Sequence, residues 1–124
     1  MLTKEFAESF AKEWIEAWNS HDAERVLKHY SPEVELTSPF VSRILEGEKN
    51  IVRGLVELRE YFGRAIEIYP ELKFVPRHVF AGMNSMVIQY ESVGGRLSAE
   101  LLEFNDARKV CRVLAHYSTE GMSV

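Results

Sequence analysis

The chain has 124 residues, enough for a single domain (1–124) that buries about two thirds of its unfolded surface. Its 46% hydrophobic and 27% charged residues are the balance of an ordinary globular protein, and 15 basic against 19 acidic residues leave a net charge of -4. The basic residues are dispersed, which argues against a nucleic-acid surface. No apolar run approaches membrane-spanning length, Met1–Glu5 lacks the apolar core of a signal peptide, and the single Cys111 excludes an intrachain disulfide, so a cytoplasmic setting is expected.

Phe6, Phe10, Trp14 and Trp18 recur every four residues, with Ala7, Ala11, Ile15 and Ala17 widening the stripe, which predicts an amphipathic helix over about residues 3–19. Asn19-Ser20-His21-Asp22 breaks it. Asp22 is placed to cap a short second helix carrying Val26, Leu27 and Tyr30, closed by Ser31-Pro32. Val34–Thr37 reads as a strand that Pro39 stops. Residues 41–53 read as a polar connection with one helical turn at its end. Leu55, Leu58, Tyr61, Phe62, Ala65, Ile66 and Tyr69 keep helical spacing up to Pro70. Beyond it, four extended stretches (72–80, 84–93, 96–105 and 109–119) are separated by turn-forming Gly82-Met83-Asn84, Gly94-Gly95 and Asn105–Arg108. Helices followed by a run of strands indicate an α+β fold with a meandering, mostly antiparallel sheet.

Taking Gly94-Gly95 as a two-residue hairpin pairs Val93 with Arg96, Glu91 with Ser98, Gln89 with Glu100 and Val87 with Leu102. A four-residue turn at 105–108 then sets Glu100 opposite Val113. On this count one face carries Val87, Gln89, Glu100, Leu102, Val113, Ala115 and Tyr117. The other carries Met86, Ile88, Tyr90, Ala99, Leu101, Val110, Arg112, Leu114 and His116. Both faces are apolar enough to need cover, so helices are expected on one and a second copy of the chain on the other, giving a homodimer.

Three stretches resemble the nuclear transport factor 2-like, or SnoaL-like, superfamily: WIEAWNSHDAERVLKHYSPEVELTSPF at 14–40, GLVELREYF at 54–62 and AELLEFNDARKVCRVLAHY at 99–117. The resemblance implies a cone-shaped fold, three N-terminal helices on a curved sheet, and a pocket between the helices and the concave sheet face. Ketosteroid isomerases and polyketide cyclases are relatives of this kind. In the isomerases the general base falls on Ser38, the oxyanion-hole tyrosine on Trp14 and a supporting tyrosine on Phe62. A second supporting tyrosine is kept as Tyr30, and the protonated acid is kept as Glu100. A serine without a neighbouring base cannot abstract a carbon-bound proton, so Ser38 argues against ketosteroid isomerase chemistry.

Glu100 is therefore the one candidate catalytic group. Its apolar surroundings predict a raised pKa, with a structural pairing to Gln89, Arg53 or Arg59 as the competing expectation. Trp14, Trp18, Tyr30, Ser38, Phe40, Phe62, Gln89 and Tyr117 are the expected ligand-binding positions, suited to a small, largely apolar molecule. The histidines lack metal-site spacing, Cys111 has no cysteine partner, and no metal or cofactor is expected; His78 stands on a face the sequence does not fix. Three readings follow: a small-molecule-binding domain, an isomerase, cyclase or dehydratase acting on a carbonyl compound through Glu100, or a non-catalytic dimeric module.

Overall fold

The computed structural model describes residues 1–120. Helix α1 spans Lys4–Asn19, and its first turn is closed by the Thr3 hydroxyl, which accepts from the Phe6 amide at 3.1 Å. Phe10, Trp14 and Trp18 are buried along one side, as the four-residue spacing requires. At the break His21 takes a left-handed φ of 62°, and the Asn19 amide ties down the distant Phe74 backbone with bonds of 3.0 and 2.7 Å. Asp22 caps α2 (Ala23–Leu27) by accepting from the amides of Glu24 and Arg25.

Tyr30 is not on that helix. It opens β1 (Tyr30–Thr37), four residues before the strand expected from Val34. Pro32 falls inside the strand, where its missing N–H coincides with a shift of register between Tyr30 and Glu35. The proline irregularises the strand instead of delimiting it. The 41–53 connection also differs from expectation. Its helical turn, α3 (Val41–Ile44), comes first, and its end is a short strand, β2 (Ile51–Arg53), that runs straight into α4 (Gly54–Ile68).

Strands β3 (Val75–Ala81), β4 (Ser85–Glu91), β5 (Leu97–Phe104) and β6 (Val110–Tyr117) complete a six-stranded sheet of order β2-β1-β6-β5-β4-β3. Every pairing is antiparallel except β1 with β6. The α+β fold with N-terminal helices on a curved, mostly antiparallel sheet is therefore as expected. No helix among the described residues is long and apolar enough to cross a membrane.

The register of β4 against β5 departs from expectation by one residue. Both glycines do sit at positive φ (72° and 77°), but the connection is five residues long, 92–96, with the Ser92 amide donating to the Arg96 carbonyl at 2.6 Å. Ile88 therefore faces Glu100, Tyr90 faces Ser98, and Gln89 faces Ala99. A one-residue slip exchanges the faces of an entire strand. Met86, Ile88 and Tyr90 are thus the inward residues of β4, each essentially inaccessible, while Val87 and Gln89 turn outward.

Between β5 and β6 the register differs from expectation by two residues, with Glu100 opposite Ala115 and Leu102 opposite Val113, so those faces come out as expected. Val110 is the exception. An irregularity beside Glu103 and Phe104 turns it inward, where it is fully buried.

The inner face, with Leu36, Ile88, Tyr90, Leu102 and Val113, packs under α1 and α4. Edge-to-face contacts of Phe10 on Phe104 (5.0 Å) and Trp14 on Tyr90 (5.3 Å) join the layers. The outer face is crossed by an apolar row, Phe80-Val87-Leu101-Leu114, and by a charged row, Glu103-Arg112-Glu35-Arg53. Within the charged row, Arg112 reaches Glu103 and Arg53 reaches Glu35, each at 3.5 Å. Phe80 is 55% exposed.

Candidate functional site

Strand β5 delivers Glu100 to the inner face at a place where the helices leave room. Its carboxyl is almost wholly buried, and among the described residues it has no cationic partner. The Tyr90 hydroxyl donates to its Oε1 at 2.7 Å. Burial raises the carboxyl pKa to about 7, and the bond from Tyr90 moderates the rise. Neither Gln89 nor an arginine fills that partner role. Gln89 lies on the outer face, Arg53 pairs with Glu35, and Arg59 pairs with Glu24 at 2.9 Å. Glu100 is thus a carboxyl poised between its two protonation states near neutral pH.

Beside it lies a cavity of about 240 Å³. Trp18, Phe62 and Phe74 form one aromatic wall, with Trp18 edge-on to Phe62 at 4.7 Å; Leu36 and Ala115 belong to the sheet side. Tyr30, Tyr61, Tyr69, Tyr90 and Tyr117 add five hydroxylated rings. Ser38, at the end of β1, is buried and accepts from the Phe40 amide at 3.2 Å. Burial pushes the Tyr61 hydroxyl up to about 12 and that of Tyr117 higher; hydrogen bonding to Ser38 opposes both shifts. The serine hydroxyl thus lies near two neutral phenols.

Trp14 is not a wall of this cavity. It is fully buried one layer behind, where its indole N–H donates to the Tyr30 hydroxyl at 2.9 Å. That bond occupies a lone pair of the Tyr30 oxygen and leaves the Tyr30 proton to be given elsewhere. Burial, with the nearby Glu100 carboxyl, keeps Tyr30 protonated well beyond its ordinary range.

At the rim Phe40 packs edge-on against Tyr117 at 4.7 Å, and the guanidinium groups of Arg43 and Arg96 lie 5.0 and 5.9 Å from its ring. Of the expected positions, Trp18, Tyr30, Ser38, Phe40, Phe62, Glu100 and Tyr117 converge on the cavity; Trp14 and Gln89 do not. Tyr61, Phe74, Tyr90, Arg43 and Arg96 were not anticipated. Tyr61 was within reach of the sequence, next to Phe62 on the same buried side of α4, whereas Tyr90 was lost to the register of its strand. His78 stands opposite Gln89 and is exposed on the outer face, in one row with His116. Among the described residues, no group of three His, Cys, Asp or Glu side chains is placed to hold a metal.

Comparison with known proteins agrees with this fold. The family model described as SnoaL-like domain matches residues 11–121. The chain belongs to the SnoaL-like family. A solved SnoaL-like protein of unknown function from Burkholderia thailandensis is 36% identical, with a TM-score of 0.89 over 95% of this chain and 99% of that one. A protein of unknown function with a cystatin-like fold from Methylobium petroleophilum shares 16% identity and a TM-score of 0.74, over 99% of this chain and 84% of that one. SalBIII, an epoxide hydrolase/cyclase-like enzyme of pyran ring formation in the polyether salinomycin, shares 14% identity and a TM-score of 0.73 over 95% of each chain. The last two likenesses are of fold. No curated protein matches the sequence. The chain is a SnoaL-like domain with a small hydrophobic pocket.

Proposed function

We propose that this pocket binds a small, largely apolar carbonyl compound and that Glu100 moves a proton on it. The observation that carries the reading is the buried Glu100 carboxyl, bonded only to Tyr90, at the edge of an aromatic cavity. A general acid–base is most effective when its pKa lies near the working pH, and burial raises this one to about 7. In the ionised form Glu100 takes a proton from the carbon next to the carbonyl. The C–H electron pair becomes a C=C bond, and the carbonyl pair moves to oxygen. The Tyr30 proton, left free by the bond from Trp14, suits that oxygen as a hydrogen-bond donor. Glu100, now a neutral acid, returns the proton to the same carbon of a simple ketone, giving exchange, or to the γ-carbon of a β,γ-unsaturated one, whose dienolate moves its double bond into conjugation, an isomerisation with no atom gained or lost.

The test is exchange of α-protons of simple cyclic ketones such as cyclohexanone in D₂O, followed by NMR. The protein should accelerate exchange, and Glu100→Gln should lower the acceleration by about 10²- to 10⁴-fold. A protein that accelerates none of the ketones, or a Glu100→Gln variant as active as the parent, overturns the reading. A second reading, binding without turnover, draws on Ser38: where the isomerase relatives have a base, this chain has a hydroxyl close to two tyrosines. It predicts binding of the same ketones with no exchange.

We also propose that the outer sheet face meets a second copy of the chain. The Phe80-Val87-Leu101-Leu114 row is apolar, and the neighbouring Glu103-Arg112-Glu35-Arg53 row alternates in sign, so two copies related by a twofold axis can set acid against base. Light scattering at micromolar concentration should give a dimer mass, and Leu101→Glu a monomer mass; a monomer mass for the parent chain removes the proposal. A cytoplasmic setting is proposed on the same footing, from the single Cys111.

A further inference from the structure

The rim of the cavity raises a question its interior does not answer. The chain has nine arginines. Six of them, Arg25, Arg53, Arg59, Arg64, Arg77 and Arg112, lie within 4 Å of a carboxylate. Arg43, Arg96 and Arg108 have no such partner among the described residues, and each instead lies over an aromatic ring. Two of those three, Arg43 on α3 and Arg96 on the 92–96 connection, share one ring, Phe40, and both line the cavity.

In a chain with a net charge of -4, two cations brought together without an acid between them concentrate a positive potential at one opening. Arg96 is half-buried and close enough to Tyr117 to favour its ionised form slightly, so its charge is felt inside the rim. Neither guanidinium donates a side-chain hydrogen bond to the protein among the described residues, and contact with a ring supplies no acceptor for the guanidinium N–H groups. The fork of N–H donors on each is thus available to a planar anion, which guanidinium groups hold with paired, charge-assisted bonds.

Apart from the Glu100 carboxyl, the remainder of the cavity is unsuited to charge. Its walls are Trp18, Phe62 and Phe74, its phenols are neutral, and its volume of about 240 Å³ is at the small end for a ligand pocket. A ligand that satisfies both ends has one ring or a short chain inside and a single anionic group outside.

We propose that the molecule taken by this cavity is a small apolar carboxylic acid, its carboxylate gripped at the rim by Arg43 and Arg96 and its body enclosed by the aromatic walls. This deepens the reading given above and rests on the cavity being a ligand site, but not on Glu100 being catalytic. A carbonyl at the far end of such an acid would lie toward Glu100, away from the two arginines, so that the carboxylate positions the molecule and takes no part in the proton transfer.

The experiment is isothermal titration of the full-length protein with phenylacetate and with phenylacetamide, which differ in charge and little in shape. The parent protein should bind phenylacetate about tenfold more tightly, the sum expected of two partly exposed ion pairs at about 0.7 kcal/mol each. Arg43→Gln/Arg96→Gln should lose that preference and keep its affinity for phenylacetamide, which also shows that the double variant is folded. Glu100→Gln should retain the preference. Equal affinity for the two compounds, binding of neither, or a preference that survives the double variant overturns the inference. If the preference holds while Glu100→Gln leaves ketone exchange unchanged, the acid-binding inference stands and the proton-transfer reading falls. If exchange depends on Glu100 and charge preference is absent, the reverse is concluded.

Discussion

Glu100 and Glu103 lie three residues apart on the same strand and have been given opposite surroundings. Glu103 points outward, where Arg112 stands opposite at 3.5 Å in a row of alternating charge. Glu100 points inward, where the nearest polar group is the neutral Tyr90 and burial lifts its pKa to about 7. The outer arrangement is how a protein makes a carboxylate unremarkable, by supplying a cation and water. The inner one withholds both. A buried carboxyl left unpaired costs stability, and its retention inside an otherwise apolar layer points to use more than to architecture.

The largest expected contrast is catalytic. Glu100→Gln should remove about two to four orders of magnitude of ketone α-proton exchange, while Glu103→Gln leaves the rate within about twofold, measured side by side by NMR. Equal losses would mean that the two carboxylates matter only through general stability.

The next contrast is in the pH dependence of stability. Because burial raises the Glu100 pKa from 4.5 to about 7, the native state holds a proton that the unfolded chain releases. Stability contributed by this group is therefore fully present below about pH 4.5 and falls as pH rises to about 7. It then levels off, for a total loss of about 3 kcal/mol at roughly 1.4 kcal/mol per pKa unit. Urea unfolding at about pH 5 and about pH 8 should show the decline in the parent protein and in Glu103→Gln, and a flatter profile in Glu100→Gln.

Tyr90→Phe tests the partner of Glu100. Loss of its hydroxyl should cost about 1 kcal/mol and raise the Glu100 pKa further, since the Tyr90 bond is what lowers it. The pH midpoint of proton exchange would then move upward. The smallest effect belongs to the outer pair. Arg112→Gln should cost under about 1 kcal/mol, and the loss should shrink in 1 M salt, as for any exposed ion pair.

Much of the fold could be read from particular residues. The stripe of Phe6, Phe10, Trp14 and Trp18 fixed the buried side of α1, and Asp22 marked the cap of α2, because both signals are local. Gly94-Gly95 gave the place of a turn, since only a residue without a Cβ takes positive φ cheaply. It did not give the number of residues in the turn, which depends on how Ser92 and Arg96 bond to each other across it. An error of one residue there hid Tyr90, the only side-chain hydrogen-bond partner of Glu100 among the described residues, and brought Gln89 wrongly into the pocket. An error of two residues at 105–109 did no harm, because side chains alternate with period two. Arg43 and Arg96 could not have been picked from the sequence. Their neighbourhood is created by a short helix and a hairpin distant along the chain, and nothing local to either marks it.

Surface connections usually tolerate gain or loss of a residue, and homologous proteins drift in length there. The 92–96 connection should not. It carries Arg96 to the rim, and its five residues set which side of β4 looks inward. Deleting Gly94 or Gly95 while preserving strand pairing would replace Tyr90 with its neighbours and deprive Glu100 of its donor, although neither glycine lines the cavity. For anyone redesigning this scaffold, the length of that hairpin is part of the specification of the pocket, to be held fixed while the aromatic walls are varied.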